Sequence, residues 1–106
     1  MLPKSKRVTK NTFQIIMEKG SVISSSFFLF RYIKQELPQY AFVVPKKVAK
    51  MAAKRNSLRR KGYNTLRSYS LKSGAGIFFY KKEGLSVSIT DIKKDIEFLL
   101  KKAKVI

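Results

Sequence analysis

Cysteine, histidine and tryptophan are all missing from the 106 residues. Without cysteine there are no disulfides and no thiolate metal sites. Without histidine the commonest general base and most transition-metal sites go as well. Acids are scarce: Glu18, Glu36, Glu83, Asp91, Asp95 and Glu97 make up the whole set, and residues 37–82 contain none. Asp91 and Asp95 have the i,i+4 spacing of a helical metal pair, but they read more simply as helix-start acids balancing nearby lysines. Gly74 and Gly76 match no phosphate-loop fingerprint. No apolar run approaches the roughly 18 residues needed to span a bilayer. The opening MLPKSKRVTK is basic but is not followed by the apolar segment of a signal peptide, so a cytoplasmic protein is expected. Neither catalytic nor metal-ligating residues are expected in this polypeptide.

Positive charge is what the chain has in abundance. Lys and Arg number 24, for a formal net charge of +18. Twelve of them fall in the acid-free interval 37–82, and nine in the stretch KKVAKMAAKRNSLRRKGYNTLR, residues 46–67. Like charges at i,i+4 destabilise the helix that carries them. Such a field is expected where a polyanion neutralises it. A face kept only for solubility mixes signs, and this one does not. Arginine also presents a planar fork matched to phosphate, and Asn56 adds a neutral donor and acceptor among the arginines. Nucleic acid is the expected partner, with an anionic membrane surface as the competing one. A composition of 12% aromatic and 44% hydrophobic residues belongs to a folded protein rather than a basic tail. The length suits one domain spanning residues 1–106.

Periodicity lays out the elements. A helix is predicted from about Thr9 to Lys19, capped by Thr9 or Asn11, closed by Gly20 as a permissive C′ residue, and striped by Phe13, Ile16 and Met17. In SSSFFLFRYIK, Phe27, Leu29 and Ile33 share one side of a strand and Phe28, Phe30 and Tyr32 the other. QYAFVVP reads as another strand, GIFFYKK as a third, and Ser21–Ile23 as a weakly signalled fourth. The basic stretch has a helical period, with Met51, Leu58, Gly62, Leu66 and Tyr69 in one inner stripe. Its charged flanks are Lys50, Lys54 and Lys61 on one side, and Asn56, Arg59, Arg60, Tyr63 and Arg67 on the other. Gly62 in mid-helix costs about 1 kcal/mol against alanine, which close approach to a sheet would explain. A last helix, capped by Thr90, carries an inner stripe of Ile92, Ile96, Leu99 and Leu100. The order predicts an α+β fold, a small mixed sheet packed with about three helices.

Those residues in that order resemble the protein subunit of bacterial ribonuclease P. FVVPKKVAKMAAKRNSLRRKGYNTLR resembles the family's strand, Lys-Lys pair, spacer and Arg-Asn-Arg helix. LPKSKRVTKNTFQIIMEKG, SFFLF, GIFFYKK and the terminal helix correspond in place. Ser57 stands at the third motif position, usually Arg or Lys; Tyr63-Asn64 replaces a later Arg-Glu pair, and Met17 a common aromatic. The resemblance implies a four-stranded mixed sheet with helices on one side and a left-handed βαβ crossover, an exception to the usual rule. It also implies a monomer that binds the catalytic RNA and precursor transfer RNA and assists Mg²⁺-dependent removal of the 5′ leader, with no membrane role. Chemistry and Mg²⁺ would belong to the RNA. Lys46, Lys47, Lys50, Arg55, Asn56, Arg59, Arg60 and Arg67 would face that RNA. Phe13, Met17, Phe30 and Tyr32 would hold the single-stranded leader in a cleft between the first helix and the exposed sheet face, stacking on its bases. The competing reading of these aromatics is simple core. The competing reading of the whole chain is another basic RNA-binding protein, such as a ribosomal protein or RNA chaperone.

Overall fold

Thr9 opens the first helix as expected: its side chain accepts the Thr12 N–H at 3.2 Å, and α1 runs Lys10–Lys19. The computed structural model describes residues 8–69, 71, 73–85 and 87–105, so the basic opening Met1–Arg7 lies outside the described residues. Gly20 ends α1 differently from the expected left-handed cap. Its φ is −67°, an ordinary extended value, and its N–H bonds to the Ile16 carbonyl at 2.8 Å. A Cβ there would stand 2.4 Å from that carbonyl oxygen, so close approach is what the position requires.

Strands β1 (Ser21–Ser24), β2 (Phe28–Ile33) and β3 (Gln39–Val43) follow, then α2 (Ala52–Leu66), β4 (Ala75–Tyr80) and α3 (Ile89–Lys102). The sheet order is β1-β2-β4-β3. β1 pairs antiparallel with β2 and β2 with β4, while β3 and β4 run parallel. A parallel pair needs a long crossover, and α2 provides it. The α+β fold with a mixed four-stranded sheet and three helices is as expected, and the weakly signalled first strand is present. The helices do not share one side, however. α2 and α3 cover one face, and α1 packs on the other through Ile16, Ala75 and Ile77.

A row of rings crosses the α2/α3 face. Phe30, Phe78 and Phe42 are register partners on three adjacent strands. Their rings stack at 4.2 Å (Phe30 to Phe78) and 4.7 Å (Phe78 to Phe42), nearly parallel in both pairs. Tyr63 of α2 meets Phe42 edge-on at 5.2 Å. At this crossing the helix comes so near that a Cβ on Gly62 would lie 2.5 Å from the Phe42 ring. Leu58, Gly62 and Leu66 form the inner stripe as predicted, but Met51 sits before the helix and is 72% exposed. Tyr63, assigned by period to a charged flank, is buried, and its hydroxyl accepts the Phe42 N–H at 3.3 Å. Its ring is long enough to reach over the free edge of β3 and satisfy a donor that no strand meets. Tyr40 and Tyr80 donate to the Ser73 and Leu58 carbonyls at 2.8 and 2.6 Å, and burial pushes both phenols well above their ordinary range.

The last helix begins two residues before the expected Thr90, with Ser88 as cap accepting the Asp91 N–H at 3.3 Å. Ile92, Ile96, Leu99 and Leu100 are all fully buried. Asp95 is more than a helix-start acid. Its carboxylate accepts the Ser25 hydroxyl at 2.5 Å and the Phe27 N–H at 3.0 Å, tying α3 to the turn between β1 and β2. Hydrogen bonds to a charged group contribute more than neutral ones. Asp95→Ala should therefore lower the unfolding free energy by about 2 kcal/mol in urea titrations; a change below about 0.5 kcal/mol would show the clamp to be idle.

Candidate nucleic-acid interface

The expected positive surface is present but divides into parts with different surroundings. Asn56, Arg59 and Arg60 project from one flank of α2 and, with Phe42 and Tyr63, line an open cavity of about 430 Å³. Arg59 Nη2 donates to Asn56 Oδ1, which holds one fork in place one turn away. Arg60 and Arg67 are exposed. Arg55 is half-buried and leans on the loop that precedes the helix. Its Nη1 donates to the carbonyls of Ala49 at 3.1 Å and Lys50 at 2.7 Å, so it clamps the loop that precedes α2. That loop also closes on itself, with the Val48 and Ala49 N–H groups bonding to the Pro45 carbonyl at 2.9 and 3.1 Å. Lys46, Lys47 and Lys50 are exposed along it.

Lys47 belongs to a second concavity. With Leu29, Val48, Phe79, Lys81, Lys82 and one acid, Glu83, it surrounds a cleft of about 520 Å³ at one end of the α1 face of the sheet. Phe13 and Met17 sit on α1 on this same side, 38% and 39% exposed, and Arg31 pins the helix by donating to the Met17 carbonyl at 3.0 Å. Apolar side chains beside a positive rim suit a single strand of nucleic acid.

Two of the four expected leader-binding residues lie elsewhere. Phe30 is fully buried on the α2/α3 face, and Tyr32 stacks on it at 5.4 Å. Neither shares a surface with Phe13. Alternation placed these rings correctly together on one side of β2, but both sides of FFLFRY are apolar. The side that became core is the one whose rings match Phe78 and Phe42 in register. The apolar side chains that line the cleft belong to the other alternation, Leu29 with Phe79 from FFY in β4, and neither is among the residues expected to hold the leader. The same alternation, applied to the side opposite the largest rings, points to them.

The molecule is an α+β domain with a basic, acid-free crossover helix and a cleft on the opposite sheet face. Its relatives are specific. The family model for ribonuclease P matches residues 2–104. The RNase P protein of Staphylococcus aureus is similar in structure, with a TM-score of 0.81, 23% identity, and coverage of 96% of this chain and 98% of that one. The RNase P protein of Thermotoga maritima has a TM-score of 0.80 at 20% identity, covering 91% of this chain and 96% of that one. No curated protein matches the chain by sequence. The chain belongs to the ribonuclease P protein family, and so to the protein subunits of an endoribonuclease complex that processes transfer RNA. Among the described residues, no helix is long and apolar enough to cross a membrane.

The burial contrast gives a direct check. Phe13→Ala should leave the urea midpoint nearly unchanged and weaken binding of a single-stranded oligoribonucleotide by about 1–3 kcal/mol. Phe30→Ala should cost about 3–5 kcal/mol of stability through its cavity. Equal stability losses for the two would contradict the assignment of faces.

Proposed function

We propose that this ribonuclease P subunit binds the catalytic RNA through α2 and the loop before it, and the 5′ leader of precursor transfer RNA through the α1 side of the sheet. The observation that carries the reading is the acid-free flank of Asn56, Arg59 and Arg60 beside the aromatic floor of Phe42 and Tyr63. Arginine forks take phosphate oxygens in pairs, and Asn56 orients Arg59 before any RNA arrives. Arg55 serves the same interface by holding Lys46, Lys47 and Lys50 on a defined loop. The leader lies against Phe13, Met17, Leu29 and Phe79, with Lys47 and Lys82 meeting its phosphates. This fits a strand that must be recognised without regard to sequence, because every base has a face to stack.

No group of three or more Asp, Glu, His or Cys occurs among the described residues. In this reading Mg²⁺ and the hydrolytic step belong to the RNA. The protein supplies charge neutralisation and substrate positioning. It acts as a monomer within a cytoplasmic ribonucleoprotein.

Reconstitution with a bacterial ribonuclease P RNA tests the proposal. At low Mg²⁺ the protein should stimulate cleavage of precursor transfer RNA, and Asn56→Ala/Arg60→Ala should lose at least tenfold of that stimulation, about 1.4 kcal/mol. Stimulation unaffected by these changes would overturn the assigned face. Absence of stimulation, with binding to unrelated RNA retained, would favour a general RNA-binding role.

A further inference from the structure

The other flank of α2 carries a second basic concavity. Lys61, Asn64 and Thr65 of α2, with Ser68 just after it and Ile89 and Lys93 of α3, line a hollow of about 240 Å³. Residues 61, 65 and 68 recur at i, i+4 and i+7, so the helical period aligns them in one row. That row faces away from Asn56, Arg59 and Arg60, on the opposite side of the buried stripe of Leu58, Gly62 and Leu66.

The hollow contains no acid. Lys101 on the same α3 pairs with Glu97 at 3.5 Å, whereas Lys61 and Lys93 have no ion-pair partner among the described residues. Thr65 is committed inward, its hydroxyl donating to the Lys61 carbonyl at 2.9 Å. The side chains of Asn64 and Ser68 have no hydrogen-bond partner among the described residues, so both present donors to the hollow. Lys61 and Lys93 line one hollow from two helices, so their like charges raise the electrostatic energy of the free protein, and an anion between them lowers it. Two cations and two neutral donors around a small hollow form the donor set for one phosphate group.

We infer that this hollow binds a backbone phosphate of the RNA partner, so that α2 is gripped along both flanks. The inference rests on the RNA-binding reading above. A helix with its side chains is about 10–12 Å across, narrow enough for phosphates of neighbouring RNA strands to lie on either side. A phosphate here neutralises the lysine flank that contacts confined to the arginine flank leave bare.

The test compares Lys61→Gln/Lys93→Gln with Lys94→Gln/Lys102→Gln, an equal loss of charge from the exposed side of α3. For each, the dissociation constant for ribonuclease P RNA is measured against salt concentration. One lost phosphate contact should make the slope of log K against log salt shallower by about 1. The first pair should show that change and a roughly tenfold weaker affinity at low salt, beyond anything shown by the control pair. A parallel titration of the labelled wild-type protein with inorganic pyrophosphate should shift the Asn64 and Ser68 amide resonances, and the Lys61→Gln/Lys93→Gln variant should not respond. Identical salt slopes for the two variants would overturn the RNA contact, even if pyrophosphate still shifted those amides and marked a site for free phosphate. Intact binding of RNA with no shift at Asn64 or Ser68 in either titration would overturn the hollow alone. Failure of the wild type to bind RNA would overturn this contact together with the function it rests on.

Discussion

The stack of Phe30, Phe78 and Phe42 across three strands is the constraint on which the other arrangements depend. Rings in register on adjacent strands fix which side of every strand is core, because a slip of one residue would send all of them to the opposite face. Aromatic pairs of this kind contribute about 0.5–1.5 kcal/mol beyond the area they bury. The stack also sets how α2 approaches. Phe42 ends the row beneath Gly62, and only a residue without a side chain lets the helix come that close. Tyr63 then closes the edge of β3 with both its ring and its hydroxyl.

With the inner side of α2 assigned in this way, its basic residues have nowhere to go but outward. Burying the cations unpaired would cost far more than the repulsion between them in water. Repulsion is therefore a consequence of the fold that packing tolerates, and a polyanion relieves it. The opposite face of the sheet is built on a different balance. α1 covers only part of it, through Ile16, and leaves Leu29 and Phe79 half-buried beside Lys47, Lys82 and Glu83, with Phe79 packed at the edge of the Ile16 cluster. Both faces of the sheet thus carry core, the larger under α2 and α3 and the smaller under α1, and α2 itself carries core residues on one side and charge on the other.

Much of this is legible in the residues themselves. The period of α2 and α3, the alternation in β2 and the gap in acid usage all appear as spacing, and the order of motifs points to the family. Contacts between elements distant in sequence are less visible. Nothing in SSSFF shows that Asp95, some seventy residues later, will cap its turn. Phe30 and Leu29 are equally plausible as platform residues until Phe78 and Phe42 supply ring partners for one of them. Arg55 reads as one more phosphate ligand, yet its position at the first turn of α2 places it within reach of two loop carbonyls. Tyr63 follows the charged flank by angle alone and is buried because a tyrosine can extend across a strand edge.

In the proposed complex, α2 carries charge that is harmful to the free protein and useful only when RNA is bound. Arg59→Gln/Arg60→Gln separates these effects in one variant through two measurements, the urea midpoint at low salt and the affinity for ribonuclease P RNA. Opposite signs are expected: a higher midpoint, because repulsion is relieved, and a weaker complex. A lower midpoint accompanied by unchanged affinity would contradict it, since the arginines would then be part of the fold and not of the interface.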